Sequence, residues 1–288
     1  MSVSRARGVL VGLLVALLCL AAYAVPSTRG ALNGKVTNTN DTAASDIYAT
    51  CRSAATGAGT ALFVLPLADS ASTAADVSGN GRPGRYRGNY GLGRSGPCVG
   101  ETGRSVELGA GGLLTSPGYV SNGFFQANPQ TFTTSLWFRT DNGYTRGGRL
   151  MGFGGDETGV SDLYDRHVFM RTDGRLVFGV FPQEFRTVTS GSAYNDGQWH
   201  HVAATLGPSG SASPGMRLYV DGTQVGSDPT TTSAQVFNGY WRVGYDNLDT
   251  WATAPRTANS FLGRVAYASV FSTALTASQV GVLAEAGR

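Results

Sequence analysis

Residues 196–206 read DGQWHHVAATL and carry two of the chain's three histidines, His200 and His201, side by side. A histidine pair invites a metal reading, but the run Trp199 to Leu206 is rich in β-branched, aromatic and small residues and follows an Asp-Gly turn dipeptide. Read as a strand, it sends successive side chains to opposite faces. Trp199, His201, Ala203 and Thr205 then share one face, and His200, Val202, Ala204 and Leu206 the other. The two histidines cannot reach one ion, and both are read as strand residues. No nearby Asp or Glu spacing supplies a catalytic partner.

The same pattern extends on both sides. Turn dipeptides stand at Asn80-Gly81, Asn122-Gly123, Asn142-Gly143, Asp173-Gly174, Asp196-Gly197, Asp221-Gly222 and Asn238-Gly239. Between them, Thr133–Arg139, His167–Thr172, Arg175–Phe181, Met216–Val220, Trp241–Gly244 and Phe261–Phe271 read as strands. Many short antiparallel strands with almost no helical period predict an all-β, two-sheet jelly-roll β-sandwich. Only the tail departs: Thr276 and Gln279 form a capping box ahead of Val280, Val282, Leu283 and Ala284, predicting a short C-terminal helix on the outside of the sandwich. Trp137, Trp199 and Trp241 fall in strands and are assigned to the core.

The stretch 196–205, followed by Met216 to Val225 (MRLYVDGTQV), resembles consecutive strands of the laminin G-like, concanavalin A-like lectin/glucanase superfamily. Tyr240 to Gly244 (YWRVG), Phe261 to Val265 (FLGRV) and Ala274 to Gln279 (ALTASQ) resemble its last strands and terminal helix. Ala61 to Leu67 (ALFVLPL) and Asp76 to Gly81 (DVSGNG) resemble its first strand and the loop after it. The resemblance covers about residues 60–288 and implies a secreted or cell-surface module that binds glycans or proteins. One departure matters. Val265-Ala266-Tyr267 stands where the family commonly has an acidic triplet associated with calcium, so the resemblance leaves room for at most a weak calcium site near Asp76 and Asn80. The cluster Asp156, Glu157, Asp162 and Asp165 lacks a regular ligand spacing and reads as a solvated acidic loop.

Upstream, Arg5 and Arg7 precede the uncharged apolar run Gly8 to Val25, and Ala22-Tyr23-Ala24 has the small-x-small form of a signal-peptidase site. Residues 1–24 are read as a signal peptide or, if uncleaved, a signal-anchor helix, which would be the chain's one attachment to a membrane. Residues 25–45 are a polar linker, and 46–288 the sandwich domain. Export leaves Cys51 and Cys98 as a pair in an oxidising compartment; they read as one disulfide, with two free thiols as the alternative. A formal net charge of +3 is too weak to argue for nucleic acid.

Function is read from what the pattern lacks and holds. Glycosidic hydrolysis works with paired carboxylates, and Glu101, Glu107, Glu157, Glu184 and Glu285 stand in no such pattern. A lyase built on Tyr164, Arg166 and His167 has no recognised motif around it. The expectation is a non-catalytic binding module without a cofactor, its partner an extracellular glycan or a surface protein. Glycan binding needs aromatic platforms beside hydrogen-bonding side chains, and Tyr245, Asp246, Asn247, Asp249 and Trp251 supply both in one loop. Trp251 has a second reading as a plug at the edge of the core. Arg82, Arg85, Arg87 and Arg94 form a second candidate surface, suited to carboxylate or sulfate groups, or simply a solvated loop.

Overall fold

The computed structural model describes residues 50–98, 101, 103–110, 116–256 and 259–287. The signal or anchor segment at 1–24 and the linker at 25–45 lie outside them. Two eight-stranded sheets form the sandwich. The first runs β14 (Thr223–Asp228), β13 (Gly215–Val220), β12 (His200–Gly207), β7 (Phe132–Arg139), β16 (Gly263–Phe271), β5 (Arg104–Leu108) and β4 (Tyr90–Ser95), with β1 (Ala61–Leu65) beside the second half of β16. The second runs β11 (Arg186–Ala193), β10 (Arg175–Val180), β9 (Tyr164–Met170), β8 (Gly148–Gly154), β15 (Tyr240–Val243), β6 (Tyr119–Asn122), β3 (Gly84–Arg87) and β2 (Thr73–Ala74). Neighbouring strands pair antiparallel throughout, as in the jelly roll the turn spacing predicts.

Turn chemistry joins these strands where the dipeptides place them. Asp221-Gly222 closes the β13–β14 hairpin with both residues at positive φ, 52° and 82°, the backbone twist that a two-residue hairpin turn needs. Asp173-Gly174 closes β9 onto β10. Expected strand ends fall within a few residues of those found.

Alternation then sorts the side chains. Leu136, Phe138, Val202, Ala204 and Leu206 enter the core between the sheets, where they meet Phe153, Phe178 and Trp241 from the second sheet. Trp241 is 1% exposed, and its indole N–H donates to Gln126 Oε1 at 2.6 Å. Trp137 and His201, paired across β7 and β12, occupy the opposite, outer face of the first sheet. His201 Nε2 bonds Ser135 Oγ at 2.8 Å, while His200 bonds Asp221 at 2.8 Å and Asp196 at 3.0 Å. The two imidazoles thus serve separate faces with separate partners, while Asp221 also accepts from the His201 amide at 3.0 Å.

That outer face is roofed by two helices, α1 (Cys51–Gly57) and α2 (Ala277–Glu285). Thr276 caps α2 with Gln279 completing the capping box, as the sequence predicts. Gln279 also donates to the Ala58 carbonyl at 2.6 Å, tying the helices together. Cys51 and Cys98 form a disulfide with Cα atoms 5.9 Å apart, and Cys51 Sγ lies 3.5 Å from the carbonyl oxygen of Ala286. Among the described residues no helix is long and apolar enough to cross a membrane.

Candidate functional site

Among the described residues, the outer face of the second sheet carries no helix. It is covered by the segment that follows β15, the one richest in candidate ligand residues, and the structure divides those residues into two groups. Asp246 is fully buried. Its carboxylate accepts from the Ser161 amide and hydroxyl, both at 2.9 Å, and from the Asn247 amide at 2.8 Å. It also lies 3.4 Å from Arg149 and 3.4 Å from Arg242, two arginines that are themselves fully buried on the sheet. Burial pulls the Arg149 pKa down to about 10 against the pull of Asp246. Arg242 lies over the rings of Tyr119 and Tyr245, at 4.7 and 5.4 Å, a cation–π arrangement that shields the charge with aromatic faces. Asp246 is therefore the central counter-ion of the sheet's outer face, and the expectation that it meets ligand is corrected.

Trp251 follows its second reading. It is 4% exposed and packs with Phe169, Val177 and Leu248 in a small cluster of its own. A Cβ on Gly179 would come within 2.3 Å of the indole, so the strand offers bare backbone where the ring lies flat on it. His167 sits beneath, its ring centroid 4.4 Å from that of Trp251. Asn247 is half-buried and donates to the Ser161 carbonyl at 3.1 Å. Asp249 is exposed, with Asn259 donating to it at 3.3 Å, and Tyr245 is half-buried.

What the loop does build is the wall of a pocket. Beside Trp251 lies a cavity of about 210 Å³ lined by Tyr164, Phe181, Phe185, Asp162, Gln235 and Thr250. Phe185 is 49% exposed, and its ring stacks edge-on against Trp251 at 4.9 Å and near Phe181 at 4.8 Å. Tyr164 and Thr250 share a hydroxyl hydrogen bond of 2.9 Å at the rim. Trp251 anchors the pocket, and Phe185, Phe181 and Tyr164 furnish the reachable aromatic surface. Sequence reasoning missed Phe181 and Phe185 because they stand in a β10–β11 connection, FPQEF, that shows no cluster of polar partners; those, Asp162, Gln235 and Thr250, come from other connections.

The other candidates separate. Arg82 stacks on Phe124 at 3.6 Å, Arg87, on β3 with the exposed Arg85, pairs with Glu157 at 2.9 Å, and Arg94 lies on the first sheet, paired with Glu107 at 2.7 Å, so the four arginines are divided between the two sheets and three of them are already engaged. Arg166 is buried against Phe153 and Phe237, ion-paired to Asp165 and donating to the Pro129 carbonyl at 2.7 Å, and does not converge with His167. In the loop resembling the family's calcium site, Asp76 accepts from the amides of Val64, Ser78 and Arg82 at 2.9 to 3.0 Å, so its oxygens are already engaged. Burial raises its pKa, and those amide donors outweigh burial and lower it. Of the acidic loop, Asp165 is fully buried beside Arg166 rather than solvated. Among the described residues no group of three or more His, Cys, Asp or Glu is placed to hold a metal ion.

Residues 114–281 match the concanavalin A-like lectin/glucanases superfamily (laminin G type), and the chain belongs to it. No curated protein matches by sequence. Among solved structures, the fold is similar to the binding domain of botulinum neurotoxin DC in complex with rat synaptotagmin II (12% identity, TM-score 0.54, 80% of this chain and 52% of that one). It is also similar to a structure titled for the entry of botulinum neurotoxin type C into cells through two ganglioside molecules (12% identity, TM-score 0.55, 80% and 51%). A third is the binding domain of serotype C1 (12% identity, TM-score 0.53, 80% and 52%). The chain thus spans about half the length of these structures, and at such identity the likeness is one of fold.

Proposed function

We propose that this member of the concanavalin A-like lectin/glucanases superfamily is a non-catalytic, secreted or surface-held module that binds an extracellular glycan in the aromatic pocket beside Trp251. The observation that carries the reading is Phe185. An aromatic ring half exposed to solvent, braced by buried Trp251 and flanked by Asp162, Gln235 and Thr250, offers a sugar both an apolar face and hydrogen-bonding rims. One carboxylate, Asp162, lines the pocket, whereas glycosidic cleavage uses a pair. The Cys51–Cys98 disulfide fits an oxidising, extracytoplasmic setting. The structurally similar neurotoxin domains, one in complex with synaptotagmin II and one from a toxin that enters cells through two ganglioside molecules, are consistent with a binding role.

A second reading, adhesion to a protein, draws on a different observation. The large apolar side chains most exposed in the described residues are Phe125, Val160, Leu163, Phe185 and Val236. All lie in connections at one end of the second sheet, where the pairings Tyr240 with Gly154, Gln126 with Gly239 and Gly179 with His167 bring them together. Exposed apolar surface of this kind marks interaction sites.

A glycan array on the purified chain separates the two readings. Phe185→Ala should abolish retention of the best glycan with the unfolding midpoint unchanged, because the ring is half in solvent. Trp251→Ala should instead cost about 3–5 kcal/mol of stability, as truncation of a buried aromatic does. A flat array with capture of a protein through the same apolar end would favour adhesion. Product release from a polysaccharide panel, abolished by Asp162→Asn, would overturn the non-catalytic assignment.

A further inference from the structure

At one end of the first sheet, β5, β7 and β16 place charged side chains in register: Glu107 opposite Arg264, and Arg264 opposite Arg139. Two arginines directly opposed across a ladder repel one another and destabilise the pairing. Glu107 offsets them only in part, since it is also bound by Arg94 at 2.7 Å. Arg264 donates to Ser95 Oγ at 2.9 Å, and the Arg139 guanidinium has neither a hydrogen bond nor an ion pair among the described residues. These groups border a cavity of about 220 Å³. Thr140 also borders it, with its hydroxyl oxygen buried and without a hydrogen-bond partner among the described residues. A buried hydroxyl without a partner carries an unmet desolvation cost. An oxyanion seated between the opposed arginines relieves their repulsion.

We infer that this cavity binds the carboxylate of an acidic sugar unit, a second site on the sheet opposite the aromatic pocket. Arginine forks match a carboxylate in two-point geometry. Glu107 and Asp141, also on the lining, select against a densely charged polymer by like-charge repulsion, yet they can accept hydrogen bonds from hydroxyls. A ligand with one carboxylate and several hydroxyls satisfies both kinds of group; a heavily sulfated chain does not. The site stands independently of the aromatic pocket, since it shares no residue with it.

The test is calorimetric titration of the full chain with oligogalacturonate and oligoglucuronate, with their methyl esters, and with dextran sulfate, at low and physiological salt. One of the two uronates should bind, and its ester at least tenfold more weakly. Arg139→Gln and Arg264→Gln should each weaken the uronate at least tenfold and leave the ester unchanged. Arg139→Lys should recover only part, because the charge returns without the fork. Arg175→Gln, an exposed arginine on the second sheet, should change nothing, and neither should Phe185→Ala, which tests the aromatic pocket alone. Equal binding of acid and ester, tighter binding of dextran sulfate, no binding of either uronate, or uronate binding unmoved by both glutamine variants while they remain folded would each overturn the inference.

Discussion

His167 makes the outer face of the second sheet sensitive to acid. It is fully buried, neither ring nitrogen has a hydrogen-bond partner among the described residues, and aromatic rings flank it at 4.4 Å (Trp251) and 5.6 Å (Phe169). Burial, reinforced by the charge of Arg149, holds its pKa well below the ordinary 6.5. The unfolded chain takes up a proton near pH 6.5 while the folded one does not, so below that pH the unfolded state binds more protons and stability falls. Between pH 6 and pH 5 the loss integrates to about 1.2 kcal/mol. His200 has the opposite tendency: burial lowers its pKa, but Asp221 and Asp196 together outweigh burial and raise it. Below pH 6.5 both states hold that proton, so its contribution is constant there and is lost only as pH rises through its folded pKa. Asp76, Asp196 and Asp228, all lowered, lose their stabilisation under more acid conditions, as pH falls through their folded pKa values from the ordinary 3.8. Asp165, raised by burial against the pull of Arg166, acts in wild type and variant alike. The assay is urea unfolding of wild type and His167→Phe at pH 6 and pH 5. The stability difference should shift by about 1.2 kcal/mol in favour of the variant on acidification. A shift within about 0.4 kcal/mol of zero would refute the premise that His167 is buried and neutral.

Asp246→Asn should cost about 3–5 kcal/mol, because it strands two buried arginines without their counter-charge; chemical denaturation measures it, and a loss under about 1 kcal/mol, the range of an exposed ion pair, would show that solvent reaches the network. Reducing the Cys51–Cys98 disulfide, which closes a separation of 47 residues, should cost about 4 kcal/mol by loop entropy, read as a lower unfolding midpoint in reductant.

The strands and the C-terminal helix were legible because their signals are local. Alternation in WHHVAATL, the Asp221-Gly222 turn and the Thr276–Gln279 capping box each specify conformation within a few residues. Helix α1 was not legible: CRSAATG has too few large apolar residues to show a helical stripe, and the disulfide and α2 hold it from outside. The binding surface was half legible for the same reason. Tyr245 to Trp251 stood out by composition, but what separates a ligand contact from a buried counter-ion is the pair Arg149 and Arg242, delivered from β8 and β15. Likewise, only the registers of β16 with β5 and β7 bring Arg139 and Arg264 side by side.

The contact between Cys51 and Ala286, 235 positions apart, sets how the domain can be carried. Thr50 and Gly287 thus lie close together on the helix-roofed face of the first sheet. The aromatic pocket lies at one end of the other sheet, where Trp251 meets the connections. The Gln279–Ala58 bond therefore locks the two ends of the described domain to one another, with the disulfide anchoring the first of them, so a pull applied between them would load the two helices before any strand pairing.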